Sequence, residues 1–327
     1  MGEYIIEVSG LKKVFKVNQR GKAGMLAAVK NLFHRSYQEV TAVDGIDLAI
    51  EKGEIRGLIG PNGAGKSTTI KILSGILYPS AGTVNVAGYV PWLERVEYVK
   101  KIGVVFGQKS QLWWDLPPID SFTFNQEMYR IPRLKFQENL NYFINLFNIE
   151  DVIKKPVRQL SLGERMKCEL VCALLHEPPL VYLDEPTIGL DLLSKEAIRS
   201  FIKQTNKDKG TTFIVTTHDL ADIENLCDNV TIINKGTIVY NDSLNSLRTY
   251  FSDRKVIELK FSSAVSEEEL RDFRVIEYTP RSAKVEINLK TNELKSEVYQ
   301  IFSNFPVQDM NINNIEIEEV IKYIYKN

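Results

Sequence analysis

Short apolar runs alternate with helical stretches along this chain, and the two periods sort it into layers. Residues 4–8, 12–16 and 46–50, with polar turns between them, predict strands of an N-terminal antiparallel layer. Residues 55–59, 102–106, 180–183 and 212–217 are apolar almost throughout and are separated by helical sequence. Strands without a polar face belong in a parallel sheet covered on both sides, and such sheets hold ligands at the carboxyl ends of their strands. All four of these runs end in polar residues. Beyond Tyr240 the pattern changes. Residues 256–261, 275–278 and 283–289 predict strands, and 291–304 and 315–325 predict helices, which together make a small C-terminal α+β appendage. The fold class is α/β, with a main domain over 1–250 and an accessory domain over 251–327.

The run ending at Ile59 leads into Gly60-Pro61-Asn62-Gly63-Ala64-Gly65-Lys66-Ser67-Thr68. This is G-x-x-x-x-G-K-[ST] between a strand and a helix. Glycines let successive N–H groups turn toward phosphate, and a helix N-terminus points at the same charge. Lys66 supplies a cation for the β- and γ-phosphates, and the Ser67 hydroxyl is a hard ligand for Mg2+. The segment from Leu180 delivers Asp184 and Glu185. Asp184 fits the acid that holds Mg2+, and Glu185 stands where it can polarise an attacking water. The core is that of a P-loop NTPase.

Composition narrows the setting. Of 327 residues, 44% are hydrophobic and 25% charged, which excludes a disordered chain. A net charge of -1 gives no global attraction for nucleic acid. No run is apolar enough to span a membrane, and Met1-Gly2-Glu3-Tyr4 lacks a secretory leader pattern, so an intracellular protein is expected. Cys168, Cys172 and Cys227 make no disulfide framework; Cys168 and Cys172 share a helix face and read as small core residues. His34 and His176 read as structural.

The neutral average hides a local imbalance. Residues 11–38 carry Lys12, Lys13, Lys16, Arg20, Lys22, Lys30 and Arg35 and no acid. Within them Met25, Leu26, Val29, Leu32 and Phe33 form one stripe of a short helix. That helix either packs on its own domain or faces anionic lipid or a membrane partner. From Phe251 onward the balance tips the other way, with eleven basic and fourteen acidic residues.

Further motifs narrow the NTPase class. Gln159-Leu160-Ser161-Leu162-Gly163-Glu164-Arg165 resembles the signature of ATP-binding cassette (ABC) proteins, and the chain resembles the nucleotide-binding subunit of an ABC transporter from about Tyr4 to Tyr240. Gln108 matches the Q-loop glutamine, Ile188-Gly189-Leu190-Asp191 the D-loop, and His218 the switch histidine. Tyr37, twenty-three residues before Gly60, matches the aromatic that stacks on adenine; Phe15 competes for that role, with 17–36 then an insertion after it. The resemblance places the signature in a helical subdomain over about 109–175. It implies that Lys66, Gln108, Glu185 and His218 serve catalysis and that Ser67, Gln108 and Asp184 serve Mg2+. It further implies that residues 60–68, with Ser161, Leu162, Gly163, Glu164 and Asp191, hold ATP between two subunits joined head to tail.

The same resemblance implies a peripheral ATPase at the cytoplasmic face of the membrane. Its partners would be a separate transmembrane permease and a second ATP-binding subunit, like or unlike, with no nucleic acid. Leu162 and Glu164 depart from the usual Gly and Gln of the signature. With residues 105–114 they are most similar to the exporter branch that includes drug-resistance and sodium-extrusion ATPases. An importer ATPase and a soluble ABC ATPase acting on ribosomes or DNA are the alternatives. One P-loop, one signature and no heptad run weigh against the soluble class. Trp113 and Trp114 belong either to the core or to the surface that couples to the permease. The appendage reads as a dimer-stabilising or regulatory cap.

Overall fold

A computed structural model describes residues 3–18, 37–107, 109–217, 219–249, 254–289, 293–314 and 317–326. It divides into two compact units, Met1–Asp242 and Ser243–Asn327. The helix Leu244–Thr249, assigned from sequence to the first domain, falls in the second.

In the first unit, β1 (Tyr4–Asn18) and β2 (Tyr37–Glu51) form a long antiparallel ribbon. β3 (Ile55–Ile59) starts a second sheet, and β4 (Ala81–Val86) returns to the first, in the order β2-β1-β4. The two runs expected as separate strands at 4–8 and 12–16 are therefore one strand. Gly10 takes a left-handed φ of 57° between them, and its N–H donates to Asp47 Oδ1 at 2.7 Å, so the register shifts there while pairing with β2 resumes at Leu11.

The second sheet adds β5 (Ile102–Phe106), β6 (Leu180–Asp184), β7 (Thr212–Thr216), β8 (Asn229–Asn234) and β9 (Thr237–Ser243), in the order β5-β6-β7-β3-β8-β9. Neighbours from β5 to β8 are parallel. β9 follows β8 across Lys235 and Gly236, both with positive φ, as a hairpin. The register positions the site: Phe106 stands opposite Asp184, Asp184 opposite Thr216, and Thr216 opposite Leu58. Four strand ends thus open on one edge.

The helix Lys66–Leu73 shares a core with both sheets. Its Ile70, Ile72 and Leu73 are buried in one cluster with Ile6, Leu48 and Val84 of the first sheet and Tyr182 and Ile214 of the second. Helices Pro118–Met128 and Arg133–Phe147 pack on the helix Leu162–Leu174. Buried Asn125 and Asn139 clip them to it, donating to the carbonyls of Cys172 (3.2 Å) and Leu175 (2.9 Å). Cys168 and Cys172 are buried in that helix, and Cys172 Sγ accepts a second bond from Asn125 at 2.9 Å. The helix Leu192–Lys209 completes this layer, with Phe201 stacked on Phe147 at 3.8 Å.

In the second unit, β10 (Arg254–Phe261), β11 (Arg274–Thr279), β12 (Ser282–Asn288) and β13 (Val307–Asn314) form an antiparallel sheet in the order β11-β12-β10-β13. Its core is built from Ile257, Leu259, Phe261, Val285 and Ile287, with Ile301 of the helix Leu294–Asn304. Among the described residues, no helix is long and apolar enough to cross a membrane.

Candidate nucleotide-binding and catalytic site

The loop after β3 turns on glycines with left-handed φ. Gly63 and Gly65 have φ of 80° and 111°, and a Cβ on Gly65 would sit 2.5 Å from the Ala42 carbonyl oxygen of β2. Lys66 opens the following helix and is 7% exposed; its ammonium donates to the carbonyls of Gly60 (2.6 Å) and Pro61 (3.2 Å). Burial pulls its pKa below the usual lysine range, opposed by the Glu185 and Asp184 carboxylates. Those carboxylates mark the other wall. Ser67 Oγ donates to Asp184 Oδ1 at 3.2 Å, and Thr216 Oγ1 donates to the same oxygen at 2.6 Å.

Glu185 leaves β6 with a left-handed φ of 54°. Its N–H donates to both the carbonyl and the hydroxyl oxygen of Thr216, each at 3.0 Å. Gly107 closes against the same turn: its N–H donates to the Asp184 carbonyl at 2.9 Å, and a Cβ there would lie 2.6 Å from the Glu185 carbonyl oxygen. Together these elements enclose a cleft of about 800 Å³ lined by Gly60, Pro61, Asn62, Ser67, Asp184 and Glu185. Lys71 and Lys109, which the sequence reading did not single out, add two cations to its wall. A lysine cradled in a glycine loop opposite two carboxylates suits a nucleotide phosphate chain. The neighbouring hydroxyl and carboxylate of Ser67 and Asp184 form a hard-oxygen pair of the kind Mg2+ prefers.

The signature residues lie elsewhere on the same unit, and none lines this cleft. Ser161 caps the helix Leu162–Leu174 in a reciprocal box: Glu164 N–H donates to Ser161 Oγ at 3.2 Å, and Ser161 N–H donates to Glu164 Oε2 at 2.8 Å. That backbone hydrogen bond is the main reason the Glu164 carboxyl titrates below its usual range. Gly163 packs against Ser194, and a Cβ on it would lie 2.9 Å from Ser194 Cβ. Leu162 is exposed on one side and abuts Gly189 on the other, where an added Cβ would meet its Cδ2 at 3.3 Å. Asp191 caps the helix Leu192–Lys209, accepting from Ser194 N–H (2.9 Å) and Ser194 Oγ (2.6 Å).

A sequence profile described as ABC transporter matches residues 43–188, from β2 through the P-loop and signature to the turn after Glu185. The chain is similar to the ABC transporter ATP-binding protein NatA of Bacillus subtilis, 32% identical over 68% of this chain and 89% of that one. The chain belongs to the ABC transporter ATP-binding protein family. It is also similar to the linearmycin resistance ATP-binding protein LnrL of Bacillus subtilis, 29% identical over 87% of this chain and 92% of the relative. In three dimensions it matches a solved ATP-binding subunit of an ABC transporter, with a TM-score of 0.61 and 26% identity over 76% of this chain and 93% of the other.

This ABC protein is thus an ATPase, the ATP-binding subunit of a transporter. Two of its sequence-assigned residues, Gln108 and His218, lie outside the described residues, as do His34 and the apolar stripe from Met25 to Phe33. Both candidates for the adenine platform, Tyr37 and Phe15, lie on the β1–β2 ribbon. Ala42, whose carbonyl meets Gly65, lies two residues from Val40, the register partner of Phe15, and five from Tyr37. At about 3.3 Å per residue, Phe15 is the nearer aromatic by roughly 10 Å of strand. Trp113 and Trp114 are 43% and 55% exposed, with Trp113 tilted on Phe124 at 5.1 Å, so they form surface and not core. His176 is structural in kind: its ring stacks on Tyr129 at 4.0 Å and Nε2 donates to the Ile102 carbonyl at 3.0 Å.

Proposed function

We propose that this subunit drives export through a separate transmembrane permease, from the cytoplasmic face of the membrane, by closing on ATP with a second subunit head to tail. The observation that carries the sandwich is the separation of two half-sites on one unit. The phosphate cleft is lined by Ser67, Asp184 and Glu185, whereas the capped helix start at Ser161, with exposed Leu162, lies outside it. A helix N-terminus presented to a partner's bound nucleotide adds its positive end to the charge already supplied by Lys66. Export is favoured by the similarity to a protein whose name states linearmycin resistance.

In this reading the loop N–H groups and Lys66 bind the β- and γ-phosphates. Ser67 and Asp184, with Gln108, hold Mg2+, which when bound neutralises phosphate charge. Glu185 accepts a hydrogen bond from the attacking water and takes its proton as the water oxygen bonds to the γ-phosphorus and the bond from that phosphorus to the β–γ bridging oxygen breaks, leaving ADP and inorganic phosphate; His218 contacts the γ-phosphate. Loss of that phosphate removes the charge that joins the two subunits, and the pair reopens. The exposed Trp113 and Trp114 form part of the surface that meets the permease.

Purification of the tagged chain from detergent-solubilised membranes tests the partner. A polytopic membrane protein should accompany it, and its ATPase activity should respond to that protein. Recovery with ribosomes and no membrane protein would overturn the transport role.

A further inference from the structure

Asp222 is fully buried in the helix Leu220–Leu226, and that helix does not need it, since Asp219 already caps the N-terminus by accepting from Ala221 N–H at 3.0 Å. A carboxylate held away from water is costly unless donors surround it. Here they do. Thr187 Oγ1 donates to Oδ2, Thr217 Oγ1 donates to the same oxygen at 3.2 Å, and Arg199 reaches Oδ1 through Nε at 2.7 Å and Nη2 at 2.6 Å.

These donors come from three segments that meet around the reaction. Thr187 is two residues past Glu185. Thr217 follows Thr216, which holds both the Glu185 N–H and the Asp184 carboxylate. Arg199 rides on the helix that Asp191 caps. Glu185 itself sits at a φ of 54°, a conformation that is strained for a non-glycine residue and persists only where its surroundings fix it. Thr216 holds its N–H from the neighbouring strand β7. Thr187, held by Asp222, fixes it from downstream.

We propose that Asp222 is a positioning residue for ATP hydrolysis: through Thr187 it locks the turn that carries Glu185 against the end of β7. This rests on the reading of Glu185 as the residue that engages the attacking water. Removing the lock lets the carboxylate wander from the line of attack while leaving the phosphate loop untouched, so the loss falls on kcat and not on ATP affinity.

The test compares Asp222→Asn, Thr187→Val and the double variant in steady-state ATPase and ATP-binding titrations, with Glu185→Gln in parallel. Thr187→Val removes one hydroxyl and leaves the Asp222–Arg199 pair intact, so it guards against a fold defect. Each single variant should lose about tenfold or more in kcat with KM for ATP within about twofold of the parent. The double variant should be no slower than the worse single one, because both act through one contact. Parental kcat in Thr187→Val, additive losses, or loss of ATP binding together with turnover would each overturn the proposal. Full turnover in Glu185→Gln would instead remove the reading on which it rests, whatever the other variants do.

Discussion

Gly163 and Ser194 approach so closely that no side chain fits between them; a Cβ at position 163 would lie 2.9 Å from Ser194 Cβ and closer still to its hydroxyl. The contact joins the first turn of the signature helix to the first turn of the helix behind the D-loop, and Ser194 also completes the Asp191 cap. Glycine at 163 is therefore required by this chain's own packing, whatever it does for nucleotide. Gly163→Ala must push the signature turn away from the D-loop. The variant should keep ATP binding to the single subunit, measured by titration, while ATP-dependent association and turnover fall about tenfold or more. Unchanged association by light scattering would show that the turn absorbs the methyl.

The adenine platform is decided by a pair of alanine variants. Phe15 stands opposite Val40, close along the strand to the point where β2 touches Gly65, and Lys13 Nζ lies 5.1 Å from its ring centroid. Stacking on a base contributes about 1–3 kcal/mol, so Phe15→Ala should weaken ATP binding roughly five- to hundredfold, and Tyr37→Ala much less. A larger loss in Tyr37→Ala would return the role to the residue that spacing from Gly60 favours.

His176 makes stability depend on pH. Burial lowers its pKa from 6.5 to about 4, opposed by the hydrogen bond to the Ile102 carbonyl. The unfolded chain therefore binds the proton more readily, and the stabilisation is complete above about pH 6.5 and lost as pH falls toward about 4. On the order of 2 kcal/mol should disappear by about pH 5. Urea denaturation of the parent and of His176→Gln at neutral pH and near pH 5 checks this: the acid loss should be smaller in the variant. Equal losses would mean that the imidazole is protonated without penalty.

What could be read ahead of the structure follows a physical rule. The runs 55–59, 102–106, 180–183 and 212–217 are strands within a residue because a strand apolar on both faces has no other place to go. β4, β9 and β13 escaped notice because segments such as AGTVNV and VQDMNINN bury few residues and carry little pattern. β8 was missed despite its buried Val230, Ile232 and Ile233. Ser9-Gly10 reads as a turn yet is a bulge inside β1, since only the Asp47 contact reveals that pairing continues. Lys66, Ser67, Asp184 and Glu185 were legible because phosphate chemistry fixes their spacing. Thr216, Thr187 and Asp222 were not, because a lone hydroxyl or acid carries no motif until the register of β6 against β7 brings it to the site.

The central claim is that Glu185 turns over ATP held between two copies of this cassette or between this cassette and a close relative. The measurement that tests it most directly is the mass of Glu185→Gln by light scattering with and without ATP and Mg2+, read beside its ATPase rate. Turnover should nearly vanish while ATP shifts the variant, alone or mixed with a partner subunit, from one cassette to two. A variant that hydrolyses ATP at the parent rate, or that binds ATP without associating, would contradict the account.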